Sequence, residues 1–438
     1  MDELVERLKM PNAAQRMNTL GRWLVDAEPL TIWERDTRLL SRAGRKWRRR
    51  ALEFSRRFIR PVAVEADLHH HEFDRRAFIN KAAKRGFLSL LMPAPFGRAN
   101  LRAYLRSTIF QVILIAEEFC TESGGIGLLL LVHYLGIAPI LLSGHFPSYI
   151  RHLIPLQLKS MTDNPTLMAF AITEPSAGSD VEETEGGATA RLVTTAKKTT
   201  GGYLLNGRKV FISNGQLADK ITVFAKLGGE ALDSWTCFLV DKKMDGFSVG
   251  RQERKMGQRP SDASEIILED VFVPNKNIIG KLRGGWALNR NVLNYSRPAI
   301  GAMAVGMARG AFEKTLHFCR ETFLGDKRLI DYQDVQLELA DMFTQLWAAR
   351  SMVWHSCRTL RSNQAAAAAT KVFATDTAYA VCNKAMDLMG DHSYIRTGGV
   401  ERALRDVRLT QIYEGTNQIN RLALIEQQWE AEIEGSEE

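Results

Sequence analysis

The spacing of apolar and polar positions changes twice along the 438-residue chain. Up to about residue 165 apolar side chains recur at helical steps, as in Trp47, Ala51, Phe54 and Phe58, a spacing that lays one face of a helix on a core. Between about 166 and 280 the period shortens to that of strands. Tyr203-Leu-Leu-Asn-Gly-Arg-Lys-Val-Phe-Ile212 carries Asn206-Gly207 between apolar runs, which predicts a hairpin because both residues tolerate the backbone of a two-residue turn. Further strands are predicted over 221–225, 235–240 and 265–273, the last stopped by Pro274. From about 281 the helical period returns, with Leu339, Met342, Leu346, Ala349 and Val353 as a stripe at bundle spacing. Ala365 to Ala369 add a run of the strongest helix former. The pattern defines an α+β chain with a helical domain over 46–165, an antiparallel β domain over 166–280 and a helical domain over 281–438. Residues 1–45 precede these as a separate lead-in.

Two of the helical stretches are unusual in composition. Residues 123–150 contain no Asp, Glu, Lys or Arg, and a membrane span needs about 20 apolar residues. His133, Gly136 and Pro139 interrupt this run and no Lys or Arg cluster flanks it, so it predicts a buried helix lining a cavity. The Trp47–Phe58 stripe lies among Arg45, Lys46, Arg48, Arg49, Arg50, Arg56, Arg57 and Arg60. A helix of this kind suits a solvated face, a membrane surface or an acidic partner.

Composition narrows the class only a little. Apolar residues at 45% allow a large core, and charged residues at 25% exclude wholesale disorder. A net charge of +8 favours anionic ligands such as a nucleotide without implying nucleic acid. Five scattered cysteines without C-x-x-C spacing suit a reducing compartment and exclude a typical zinc module. Met1-Asp-Glu-Leu-Val-Glu has no signal-peptide core, and a cytoplasmic location is the expectation. His69-His70-His71 reads as a polar interhelix loop and Gly124-Gly-Ile-Gly127 as a helix start; no metal site is expected.

The chemistry concentrates in two segments. Gln411-Ile-Tyr-Glu-Gly-Thr-Asn-Gln-Ile419 sets Glu414 against a glycine before a C-terminal helix, where a carboxylate held partly out of water acquires a raised pKa and becomes a useful base. Far upstream stands Phe170-Ala-Ile-Thr-Glu-Pro-Ser-Ala-Gly-Ser-Asp180. Together the two resemble the paired signatures of the acyl-CoA dehydrogenases. The resemblance runs from about residue 46 to about 430 and includes Lys255-Met-Gly-Gln258, Val271-Phe-Val-Pro-Asn-Lys-Asn-Ile-Ile-Gly280 and Arg405-Asp-Val-Arg408. It implies a helical N-terminal domain, an antiparallel β middle domain and a C-terminal four-helix bundle.

The resemblance also implies roles. Taking a proton from the carbon beside a thioester builds charge on the carbonyl oxygen, so a base must face the carbon while donors meet the oxygen. Side chains cannot accept the β-hydrogen, which calls for a cofactor, here FAD. Carried over, Glu414 is the base, and its N–H meets the thioester oxygen. The flavin contacts fall on Phe170, Ile172, Thr173, Gly178, Ser179, Phe211, Ser213 and Thr416. Arg320 and Phe323 of Arg320-Glu-Thr-Phe-Leu-Gly325 would reach the flavin of a neighbouring subunit. Substrate contacts fall on Ser179, Asn294, Arg297, Tyr413 and Gly415. Some branches of the family carry the base before an Arg on a bundle helix; here that position is Ser296, before Arg297, which leaves Glu414 as the base.

Two departures stand out. The 320–325 loop lies two residues further from Gln333 than the family pattern. The usual Gly-Gly-x-Gly turn reads Gly390-Asp-His-Ser393, which limits close backbone approach to a phosphate and adds a charge, so altered adenine-side binding or a shifted loop is expected. The resemblance puts residues 127–135 along the acyl pocket, and their lack of charge favours an apolar acyl group over a dicarboxyl one. The expected setting is a homotetramer passing electrons to an electron-transfer flavoprotein. Alternatives on the same fold are an oxidase, an enoyl-CoA reductase and a non-catalytic binding or assembly protein.

Overall fold

The computed structural model describes residues 31–182, 192–228 and 234–436. The chain divides into two compact units, Met1–Arg45 and Lys46–Glu438. In the first, helix α1 (Ile32–Arg38) opens on a capping box in which the Thr31 N–H donates to Glu34 Oε2 at 2.9 Å and the Glu34 N–H donates to Thr31 Oγ1 at 3.4 Å. Helix α2 spans Arg42–Phe54.

The second unit begins helically, with α3 (Ala63–Leu68), α4 (Arg75–Lys84), α5 (Phe110–Cys120) and α6 (Gly124–Leu142). Trp47, Ala51 and Phe54 are buried, and the Phe54 ring meets those of Phe78, Phe87 and Phe119 at 5.1–5.9 Å. Three of the surrounding bases have partners: Arg48 donates to Glu118 and Arg50 to the Arg85 carbonyl, while the exposed Arg60 donates to Glu122. His69–His71 lie in the turn between α3 and α4.

Helix α6 is long and apolar enough to cross a membrane, yet it is buried in protein. Its N-cap Ser123 accepts from the Ile126 N–H. A Cβ on Gly136 would stand 2.7 Å from the Ala169 nitrogen, so glycine is what lets the helix lie on the sheet. His133 is satisfied within the core, its Nδ1 accepting from the Met168 N–H at 3.3 Å and its Nε2 lying 3.0 Å from Ser160 Oγ. Burial pushes its pKa down to about 4, and the ring stays neutral at pH 7.

Eight strands follow: β1 (Met168–Ala171), β2 (Thr195–Thr199), β3 (Gly202–Ser213), β4 (Lys220–Lys226), β5 (Trp235–Asp241), β6 (Phe247–Gln252), β7 (Ala263–Pro274) and β8 (Ile278–Ile279). They form a sheet in the order β6-β7-β3-β2-β4-β5-β8, with β1 parallel to β4 and most other pairs antiparallel. The hairpin expected at Asn206-Gly207 is not there. β3 runs unbroken through it, and the chain turns instead at Thr200-Gly201, where Gly201 has φ +78°. Asn206-Gly207 is a bulge against β7. Asn206 exchanges two 2.8 Å hydrogen bonds with Asp270, and a Cβ on Gly207 would meet Thr194 at 2.5 Å. Close approach, not turn geometry, requires that glycine.

The C-terminal region holds α7 (Gly285–Glu321), α8 (Gln333–Ser356), α9 (Gln364–Met389), α10 (Val400–Thr410) and α11 (Asn417–Ser436). The four long helices make the bundle, and α10 packs on α7 and α9. α7 is the hub, touching α5 and α6 as well as α8 and α9. A buried ionic cluster ties these layers: Glu117 accepts from Arg309 and Arg350, and Glu118 from Arg309 and Arg48.

Candidate active site

The loop between α10 and α11 carries Glu414 and Gly415 at φ +55° and +77°. Glycine adopts that backbone freely, but for glutamate it costs about 1 kcal/mol, so the surroundings must hold it. Arg297 Nε donates to the Glu414 carbonyl at 3.4 Å. The Gly415 carbonyl accepts from Lys371 Nζ at 2.6 Å and from Asn420 Nδ2 at 2.9 Å. Lys371, fully buried on α9, also donates to Asn417 Oδ1 at 2.8 Å. From the β domain, Ser179 Oγ accepts from the Thr416 N–H at 3.2 Å. Among the described residues no protein group accepts from the Glu414 N–H.

The Glu414 side chain faces a cavity of about 160 Å³. α5 and α6 supply Val112, Leu128, Leu131, Val132, Leu135 and Ala138; α7 supplies Leu293, Tyr295, Ser296, Ala299, Ile300 and Met303; the sheet supplies Phe170, Ile172, Thr173, Phe211, Ile212 and Ser213. Among the described residues, Glu414 is the only acidic or basic one in the lining. Ser296 Oγ donates to Glu414 Oε2 at 2.5 Å. Burial raises the Glu414 pKa above the ordinary carboxylate range, against the opposing pull of Ser296, Arg297 and Lys371.

The residues expected from sequence separate into three groups. Phe170, Ile172, Thr173, Phe211, Ser213, Tyr413 and Glu414 line this one cavity. Ser179, Thr416, Gly415, Arg297 and Asn294 stand behind it: Ser179 and Thr416 bond to each other, and Arg297 Nη1 donates to Asn294 Oδ1 at 3.2 Å. Gly178 sits just before Ser179, its N–H donating to Asp180 at 2.6 Å. Arg297, only 2% exposed, reaches Glu414 and Asn294 and not the surface. Arg320 lies 24 residues beyond Ser296 on α7, roughly 36 Å along the axis at 1.5 Å per residue. With Phe323, on the exposed hairpin of β9 (Phe323–Leu324) and β10 (Lys327–Arg328), it is outside the lining. Gly390 closes α9 at φ +52° and Asp391 pairs with His392, also away from the cavity.

Three contributors went unread in the sequence. Ser296 was visible only as a missing carboxylate. Lys371 is the one charged residue of the stretch 365–375 in α9, a signal in itself, since a cation in such a stretch must find partners. Lys209 is buried against Glu174 of the first signature at 2.7 Å and donates to the Ile172 carbonyl at 2.9 Å. Glu174 in turn accepts from the Val193 and Thr194 N–H groups, so the signature is pinned to β2 and β3 beside the cavity.

The cavity fits a planar cofactor. Phe211 is held at φ +59° and left 59% exposed, its ring in the lining beside Ser213 and Thr173. A large aromatic in that backbone offers a flat face next to hydroxyls that suit polar ring edges. Fold and site together define a helical–β–helical flavoenzyme with one carboxylate in an apolar pocket. Residues 41–145, 169–271 and 283–428 match the N-terminal, middle and C-terminal domains of acyl-CoA dehydrogenases, and the chain belongs to that family. It is 34% identical to an acyl-CoA dehydrogenase of Bacillus subtilis over 86% of this chain and 95% of the relative. It is 32% identical to a subunit of a caffeyl-CoA reductase–Etf complex of Acetobacterium woodii, over 79% and 88%. The butyryl-CoA dehydrogenase structure from Megasphaera elsdenii superposes with TM-score 0.79 at 27% identity, covering 88% and 97%. The protein is an oxidoreductase of CH–CH bonds with FAD as its cofactor.

Proposed function

We propose that this enzyme dehydrogenates an acyl-CoA with an apolar acyl group between its α and β carbons, with Glu414 taking the α-proton. The observation that supports this most is a single carboxylate with a raised pKa, held on a left-handed turn over a cavity otherwise without charge. Desolvation makes the carboxylate a stronger base than in water. The unpaired Glu414 N–H is the chain's donor for the thioester oxygen as negative charge builds there. FAD, when bound, supplies the two-electron acceptor for the β-hydrogen. Phe170, Ile172, Thr173, Gly178, Ser179, Phe211, Ser213 and Thr416 would hold it, with Arg320 and Phe323 serving the site of another copy.

The exposed apolar residues Leu337, Trp347, Leu422 and Trp429 on bundle helices support a homotetramer built through these helices. Five buried, unbridged thiols suit a reducing, cytoplasmic setting. Electrons would pass to an electron-transfer flavoprotein, the kind of partner named for the A. woodii relative. That relative is a reductase, which favours a second reading in which the same site saturates an enoyl-CoA.

The test is anaerobic titration of the purified flavoprotein with butyryl-, octanoyl- and cyclohexane-1-carbonyl-CoA, read as loss of visible flavin absorbance. Bleaching by one of them supports the dehydrogenase. Reoxidation of reduced enzyme by an enoyl-CoA, without bleaching by any saturated thioester, supports the reductase. A colourless protein that cannot be loaded with FAD contradicts both.

A further inference from the structure

Among the described residues, the Glu414 carboxylate has one hydrogen-bond partner, the hydroxyl of Ser296, which donates to Oε2 at 2.5 Å. The same hydroxyl lies 3.3 Å from the Leu293 carbonyl, one turn back on α7. One hydrogen thus has two acceptors, and the ionised carboxylate is the stronger. The next residue, Arg297, donates to the Glu414 backbone carbonyl. Two consecutive side chains of a buried helix therefore grip both ends of a residue more than a hundred positions away. Ser296 is 8% exposed and lines the cavity itself, so the grip is made at the reacting face.

We infer that Ser296 is a positioning residue for the base: it engages Oε2 and leaves Oε1 as the oxygen that meets the substrate α-carbon. This rests on Glu414 being the base. The bond is made to the ionised carboxylate. When the carboxylate is protonated, the Ser296 hydrogen turns to the Leu293 carbonyl and Oγ can accept in its place, so the side chain stays held through both protonation states.

Few other groups compete for this role. Arg297 on α7 and Lys371 on α9 face Glu414 with charges that favour its ionised form, and Tyr413 adjoins it on its own loop. α5, α6 and the strands bring no charge to the cavity. Without Ser296 the carboxylate would be left with these charges and no direct donor, and its protonated form would gain.

The test is stopped-flow anaerobic flavin reduction of flavin-loaded enzyme against pH, using whichever of the three acyl-CoAs reduces the flavin fastest. In S296A the acid limb should move up by about one pH unit, the scale of one hydrogen bond to a charged group. The rate below the limb should then fall about tenfold, while the high-pH plateau changes little. S296T keeps the hydroxyl and should restore the wild-type limb. If S296A will not load flavin, S296C reads the same limb, because a thiol of similar size is a weaker donor. An unmoved limb in S296A or S296C overturns the inference, as does an equal shift in S296T, which would make volume the cause. Reduction surviving in E414Q would instead remove the base assignment, and the role of Ser296 with it.

Discussion

A glutamate at φ +55° is an unfavourable place to keep a side chain, and the loop is held there by charge-assisted bonds from two bundle helices. Lys371 is the strongest of these, with two acceptors within 2.8 Å and no exposure. K371M should lower stability by about 2–4 kcal/mol, since it removes the charged donor from the Gly415 carbonyl and from Asn417 Oδ1, leaving them only the neutral donors Asn420 and Thr375; thermal unfolding of the flavin-loaded protein measures it. Titration of the base follows from its surroundings. Burial raises the Glu414 pKa, and the proposed role needs the carboxylate ionised, so flavin reduction should slow as pH falls, starting above the ordinary glutamate range of about 4.3. The pH profile of that single step checks it. Glu414 stood out in the sequence because its Glu-Gly pair, which alone is usually only a turn, accompanies the upstream segment Phe170–Asp180. Its hydrogen bond to Ser296 did not, since no local pattern encodes a partner 118 residues away.

Elements carry the substrate's shape. α6 and α7 supply most of the apolar wall, and their small residues set how near they come to their neighbours. Ala299 lines the cavity one turn beyond Tyr295. A299L should cut kcat/KM for a cyclic or long acyl-CoA by about tenfold or more, with less effect on butyryl-CoA, in line with about 1–3 kcal/mol for methylene-sized misfits in a pocket. Steady-state kinetics on the same three thioesters measures the ratio. The helix over residues 124–142 and the bundle stripe were readable because period and burial agree there. The strand through Asn206-Gly207 was misread because the residue pair that favours a tight turn also suits a bulge, and only the partner strand decides between them.

At the scale of the whole molecule, the order of helical, β and helical regions was visible in the changing period of the chain. The cluster that joins the two helical regions was not, because Arg48, Glu117, Glu118, Arg309 and Arg350 come from four separate helices. Removing Arg309 would take one of two cationic partners from each of two buried carboxylates, leaving Glu117 to Arg350 and Glu118 to Arg48, so R309M should cost about 3 kcal/mol, read as a lower unfolding temperature. Burial acts to raise the Glu118 pKa, but Arg309 and Arg48 outweigh it and hold the group at about 2, below its ordinary 4.5. Its contribution is therefore present in full above pH 4.5 and is lost as pH falls toward 2. A stability profile should show this acid limb in the wild type and a weaker one in R309M.

All of these features serve one claim, that Glu414 takes the α-proton of a bound acyl-CoA. The most direct measurement is wash-in of deuterium from D2O at the α-carbon of a bound acyl-CoA, followed by mass spectrometry. Wild-type enzyme should exchange the α-hydrogen, and flavin-loaded E414Q should not. Exchange at the wild-type rate in E414Q would place the base elsewhere and contradict the account.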